Sequence, residues 1–206
     1  GGTHTFVMNG APTIQISNAV SYFLPPNLGG FYGQVQHAFS ERANFEPTVA
    51  GEYNGVRVGW RGGAFHVSGS AAKLQGLTQD QDQRFRNIGL SYDFGVAQPM
   101  LLWASHKRGN VDVRGLQLGV KVPVGAGEIR ASVARYDTRG TDADWKKVSL
   151  GYAHNLSRRT QLYATVARVH NDDGAMKAIG VQGLAAPNNV PGGKSTGYEV
   201  GMRHFF

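Results

Sequence analysis

Along Val56-Arg57-Val58-Gly59-Trp60-Arg61, apolar and polar or small residues trade places at every step, and the same alternation runs through 88–94, 116–122 and 148–152. Successive side chains of a strand point to opposite faces, so this pattern predicts strands with one apolar and one polar face. Eleven such strands are expected, at 13–23, 30–40, 49–61, 64–75, 84–94, 98–107, 112–122, 127–137, 144–155, 160–170 and 196–206. No stretch shows the 3.6-residue period of an amphipathic helix. Most of the strands exceed the ~5–6 residues usual in globular sheets and suit a tilted membrane strand of ~9–11 residues plus its ends.

The connections sort into two classes. LPPNLGG, GG, GVA, VGAG and LSRR are tight; between them fall ERANFEPT, GLTQDQD, KRGNV, TRGTDAD and the 24-residue stretch from Asn171 to Lys194. Short turns on one rim and longer polar loops on the other are the layout of an outer-membrane barrel. A β-sandwich also alternates its faces, but gives no reason for alternating connections. The apolar faces read Val56/Val58/Trp60, Ile88/Leu90/Tyr92/Phe94, Leu116/Leu118/Val120/Val122 and Val148/Leu150/Tyr152. Tyr22, Phe31, Trp60, Phe65, Phe94, Tyr152 and Phe206 share that parity and lie beside a short turn or the C-terminus, as an interfacial aromatic girdle would. Phe39 and Tyr198 alone are expected at the other rim.

Composition narrows the picture. The longest apolar run, PMLLWA, has six residues, far from the ~18 of a membrane helix. There is no cysteine, hence no disulfide, thiolate metal site or cysteine nucleophile. A formal charge of +7 points to an acidic partner. An eleven-stranded sheet is awkward, because bacterial single-chain barrels close with an even number of strands and an open edge at membrane depth leaves backbone groups unsatisfied. The chain also opens on GGTHTF without an initiator Met or signal peptide, so it is expected to be the later part of a larger barrel.

LQLGVKVPVGAGEIRASVARYD, LGYAHNLSRRTQLYATVARVHND, SNAVSYFLPPNLGGFYGQVQHAF and the terminal STGYEVGMRHFF resemble the general porins of β-proteobacteria, the Gram-negative porin family. The likeness runs from Ile14 to Phe206, with Leu156–Tyr163 and Gly201–Phe206 its most specific parts. It implies a sixteen-stranded, trimeric outer-membrane channel, of which this chain supplies the last eleven strands. Residues 1–12 would be the trailing end of the inward-folded constriction loop, and 13–206 the C-terminal strands. The C-terminus is expected on the periplasmic side, with Asn171–Lys194 extracellular. The terminal strand, ending on Phe206, would be the signal read by the outer-membrane assembly machinery. Two positions depart from the pattern: Gln15 where a basic wall residue is expected, and Phe205 where a polar one is.

Parity then assigns the chemistry. Arg57, Arg61, Lys121, Arg130, Lys147 and Arg203 are expected to line the lumen, against Asp93, Glu128 and Glu199. Arg86, Arg114, Arg135, Lys146 and Arg168 have outward parity near the extracellular strand ends, where Arg135 and Arg168 could meet lipopolysaccharide phosphates. For strand 98–107, where both parities are apolar, Met100, Leu102 and Ala104 are placed outward and Lys107 inward. A surplus of fixed positive charge in a water-filled lumen concentrates anions and repels cations. The function expected is therefore passive diffusion of small hydrophilic solutes, with anions preferred.

No enzyme motif competes. The seven histidines lack metal-ligand spacing such as H-E-x-x-H, and His37, His154 and His204 have girdle parity. There is no G-x-S-x-G to support a phospholipase-like barrel. HNDDGA lacks the acid spacing of a calcium loop, and Gly125-Ala126-Gly127 makes a hairpin, with no helix to cradle phosphate. The aromatics belong to the apolar faces and form no basic platform for nucleic acid. No cofactor or metal is expected. Two alternatives remain, a phospholipase-like outer-membrane enzyme barrel and a soluble all-β binding protein.

Overall fold

The computed structural model describes residues 16, 18–40, 51–179 and 190–206. Residues 1–12, Gln15 and the ERANFEPT connection lie outside them. All eleven strands are present: β1 Ala19–Phe23, β2 Phe31–Ala38, β3 Tyr53–Gly62, β4 Phe65–Leu74, β5 Gln83–Tyr92, β6 Gln98–Arg108, β7 Val111–Val124, β8 Gly127–Arg139, β9 Trp145–Asn155, β10 Thr160–Asn171 and β11 Lys194–His204. Their order in the sheet is their order in the chain. One turn of 3₁₀ helix, Gln79–Gln81, lies in the β4–β5 connection.

Hairpin chemistry explains the tight rim. Gly63-Ala64 joins β3 to β4 and Gly125-Ala126 joins β7 to β8; Gly63 and Gly125 have φ of 53° and 56°. A two-residue hairpin demands that left-handed conformation, and glycine adopts it without strain. The predicted alternation of connection lengths fails at one place. KRGNV was assigned to the longer class, yet β6 and β7 are joined by Gly109-Asn110 alone, with Gly109 at φ 54°. The arginine and lysine of that stretch continue the strand, because nothing in their chemistry ends one.

The contacts define two compact units. The first takes in β1 to β4, β5 up to Ser91, and the parts of β6 and β7 on either side of Gly109-Asn110; the second takes in 92–101 and 115–206. In the first, β1–β2, β2–β3 and β3–β4 pair antiparallel, setting Tyr22 opposite Val35, Val35 opposite Val56 and Val56 opposite Ala71. In the second, β8–β9, β9–β10 and β10–β11 pair likewise, setting Val133 opposite Val148 and Leu150 opposite both Ala131 and Val166. Those apolar-face side chains are largely exposed: Val20, Tyr22, Val35, Val56 and Val58 in one unit, Leu118, Val133, Val148 and Leu150 in the other. An apolar face left uncovered along several strands is what lipid contact requires.

Glycines on these strands make room for aromatic rings. The Tyr32 ring lies across Gly59, the Trp60 ring across Gly62, Tyr152 across Gly127 and Tyr163 across Gly201, each where a Cβ would otherwise stand. A glycine in a strand costs packing and conformational entropy, and a ring laid over it restores the lost contact.

Strand β6 has the opposite facing from the one expected. His106 stacks on Phe85 at 4.3 Å and its Nε2 sits 3.0 Å from Gln83 Oε1. Gln83 and Phe85 have the parity opposite to the exposed Ile88 and Leu90. Leu102, Ala104 and His106 therefore share the polar-side parity, while Ser105, of Lys107's parity, donates to Asp112. With both faces apolar, the segment's hydrophobic pattern carried no signal to decide this; the ring stack and hydrogen bond of His106 do. Asp93 is corrected as well: it lies past the end of β5 and accepts a hydrogen bond from Gly95 N–H at 2.8 Å, closing the turn.

Candidate functional site

Arg57 is the centre of the polar face in the first unit. It lies in register with Gln34 of β2 and Ser70 of β4, and its guanidinium sits 5.8 Å from the centroid of the Tyr32 ring. Tyr32 Oη is 2.7 Å from His66 Nε2, and His66 pairs across the sheet with Arg61. Ser21, Gln36 and Ser68 complete the surface. Arg57 and Arg61 are both exposed. Among the described residues of these strands, this face carries the two arginines and no acid.

The second unit mixes its charges. Arg130 is exposed and ion-paired to Glu128 two residues before it on the same face. Tyr163 Oη donates to Glu199 at 3.1 Å, and Arg203 stands exposed opposite Gln161. Gly119 faces Ser132 across β7–β8, so Lys121, two residues on, shares the polar face. Lys147 also has the expected parity, but only 9% of it is exposed. It is a wall position in register and a buried one in fact.

The described start of the β10–β11 connection packs on this face beside Lys147, with Lys177 over Trp145 and Ile179 on Gly197. Residues 172–179 turn back along the polar face instead of standing clear of the rim. Trp145, 2% exposed, stacks on Tyr136 at 4.9 Å with 12° between the rings, and Lys177 Nζ lies 4.9 Å from the Trp145 ring centroid. Burial holds the Lys177 ammonium below the usual lysine range. The sequence reading missed Asn171, Trp145 and Lys177. One signal was available: Tyr136 and Trp145 are large aromatics with polar-face parity, which a water-filled lumen alone would leave unpacked.

On the apolar face the aromatic set gathers near the short turns. Trp60 lies 6.5 Å from Phe31 and 6.1 Å from Phe65, and its Nε1 donates to the Gly29 carbonyl at 3.1 Å. In the second unit Phe94 packs on Tyr92 at 4.5 Å, Tyr152 on His154 at 6.1 Å and Phe206 edge-on to His204 at 5.0 Å. Tyr22 is exposed on β1. At the far ends of β8–β11 a row of bases runs in register, with Arg135 opposite Lys146, Lys146 opposite His170 and His170 opposite Lys194. Acids one step outward answer it: Arg135 pairs with Asp137 at 3.2 Å and Lys146 with Asp172 at 3.8 Å. The terminal strand is tied down where the LSRR turn meets it. Ser157 Oγ accepts from the backbone of Arg159 and Thr160, and Phe205 N–H donates to the Arg159 carbonyl at 2.9 Å.

Residues 1–174 match the Gram-negative porin family. The chain belongs to that family. Members reside in the bacterial outer membrane, and so does this protein. It is 34% identical over 204 residues to outer membrane porin protein 32 of Delftia acidovorans, covering 94% of this chain and 57% of that one. Among solved structures it is similar to the anion-selective porin from Comamonas acidovorans, at 32% identity and a TM-score of 0.77, covering 91% of this chain and 59% of that one. OmpT of Vibrio cholerae, at 15% identity and a TM-score of 0.65 over 91% of this chain and 64% of its own, shares the fold. The chain thus spans less than two thirds of the length of these relatives. Family and fold together make these strands those of a transmembrane antiparallel β-barrel.

Proposed function

We propose that these strands wall a passive, water-filled diffusion channel for small hydrophilic solutes, with anions preferred, and that the protein catalyses no reaction. The observation that carries this reading is the polar face of β1–β4, where Arg57 and Arg61 are exposed and no described carboxylate answers them. Arg57, Arg61, Lys121, Arg130 and Arg203, with Glu128 and Glu199, line the lumen in this reading, while Lys147 shares their face but is buried. Mobile anions gather near such a wall because each guanidinium's field extends about one Debye length into the water. The similar Comamonas protein is described as anion-selective, which agrees. Lipid covers the exposed apolar face, and Arg135 and Arg168 meet lipopolysaccharide. The protein assembles as a homotrimer with its C-terminus in the periplasm.

Reversal potentials of the intact protein across a planar bilayer in a KCl gradient test the reading. Anion preference is expected at tens of millimolar salt and should fade near molar salt, as the screening length falls from ~10 Å at 0.1 M to ~3 Å at 1 M. Arg57→Gln should reduce it. Replacing Arg130 and Glu128 together with Gln should change it little, because that pair is nearly neutral as a unit. A cation-selective channel would overturn the assignment of the wall.

Recognition by the assembly machinery is tested at the last residue. Phe206 is fully exposed beyond β11, so deleting it removes no buried contact. Removal should lower trimer yield in cells while synthesis continues; undiminished assembly would leave Phe206 as a girdle residue only.

A further inference from the structure

We propose that Lys177, and not Lys147, is the selectivity lysine at the long-loop mouth of the channel, and that Asn171 positions it there. The inference rests on the channel reading above.

The wall at this level is sealed. Ala134, Lys147, Val169 and Ser195 lie in one register across β8, β9, β10 and β11, and all four are buried. Solvent therefore has little access to the lysine that parity places in the lumen. The chain segment 172–179 lies over this region, and one side chain folds it there. Asn171, 1% exposed at the end of β10, donates through Nδ2 to the Lys177 carbonyl at 2.8 Å and to the Gly193 carbonyl at 2.7 Å. Its Oδ1 accepts the Lys177 N–H at 2.8 Å. A single carboxamide thus binds both backbone groups of Lys177 and ties them to the returning end of the connection. Downstream, Ile179 N–H donates to Ser195 Oγ at 3.1 Å, and the Ile179 side chain rests on Gly197.

With its backbone held in this way, Lys177 lays its ammonium over the face of Trp145, 4.9 Å from the ring centroid. That indole is buried, with no hydrogen-bond partner for its Nε1 among the described residues; stacking on Tyr136 holds one side of the ring, and the cation lies over it. Lys177 remains partly exposed while Lys147 does not. The folded-back segment thus adds beside a covered lysine a second one that is half-buried against Trp145 and keeps contact with the water through which small anions enter.

None of these 206 residues is cysteine, so Lys177→Cys gives a thiol with no competitor among them, and the unsubstituted channel treated with the same reagents is the control. Lys177→Gln should lower the chloride-to-potassium permeability ratio about fourfold at low salt, since one unit charge over roughly 10 Å of water shifts each ion about twofold in opposite senses. Lys147→Gln should shift it less. On Lys177→Cys, an anionic thiosulfonate reagent should lower the ratio further and a cationic one should restore it. Asn171→Ala carries no charge change, yet should lower the ratio as Lys177→Gln does, with nothing added in the double variant. An unchanged ratio in Lys177→Gln, or a full effect in Lys147→Gln, overturns the proposal. A normal ratio in Asn171→Ala removes Asn171 from it. Should the intact channel prove cation-selective, the anion reading fails by itself. A shift further toward cations in Lys177→Gln would still uphold this inference.

Discussion

Arginine at Leu118 or Leu150 will sharply lower the amount of protein folded into the outer membrane, whereas arginine at Gln117 or Ser149 will leave insertion intact and alter conductance. Leu118 and Leu150 are each 53% exposed and help line a shallow apolar depression with Val120, Val133, Val148 and Val166. They lie midway along β7 and β9, so a charge there meets hydrocarbon far from either rim. A lipid-facing arginine costs ~2–4 kcal/mol at the midplane and ~0–1 near the interface. That is a large share of the 5–15 kcal/mol that holds a typical domain folded. Ser149 points the other way, its Oγ 2.7 Å from that of Ser132, where water can solvate the new charge. The shift in gel mobility between folded and heat-denatured protein reports the folded fraction of each variant. Equal behaviour of the two pairs would mean that the faces have been exchanged.

The same parity shows what the sequence could and could not say. Period-2 alternation located all eleven strands, because an apolar face toward lipid and a polar face toward water impose it residue by residue. It also set Arg57 and Arg61 on the polar face. β6 resisted because PMLLWA offers hydrophobic side chains to both sides, and only the His106 stack on Phe85 resolves it. Lys147 was placed on the right face and wrongly expected to be solvated. Parity describes a strand and says nothing of what packs on it from elsewhere in the chain, such as the connection that begins after Asn171. No local pattern around Asn171 reports that its carboxamide will fold that connection inward. Parity set Arg130 and Glu128 on one face, and the structure adds that they pair there.

Valine at Gly59 will destabilise the folded protein, by about 1–3 kcal/mol for an overpacked site. A Cβ at Gly59 would fall within the Tyr32 ring, so the ring must leave. With it go the 2.7 Å contact to His66 and the ring beneath Arg57. Gly69 is the control. A Cβ there meets nothing nearer than the Asn87 carbonyl at 3.5 Å, so Gly69→Ala should be tolerated. Combining Gly59→Val with Tyr32→Ala should recover much of the stability while leaving Arg57 without its ring. The midpoint of urea-induced unfolding measures all three. Equal tolerance at Gly59 and Gly69 would show that the tyrosine–glycine packing contributes nothing.

The in-register row Arg135–Lys146–His170–Lys194 sets a waterline. On β9 the next polar ring on the same face after Lys146 is His154, with Val148, Leu150 and Tyr152 between. Eight residues at ~3.4 Å each are about 27 Å of strand, or about 20 Å of height at a tilt of ~40°. A bilayer much thicker than that would drag four neighbouring bases below its surface together, since the sheet cannot let them sink one at a time. The protein is thereby moored at a single depth, and matched to the thinner-than-average membrane in which its family resides.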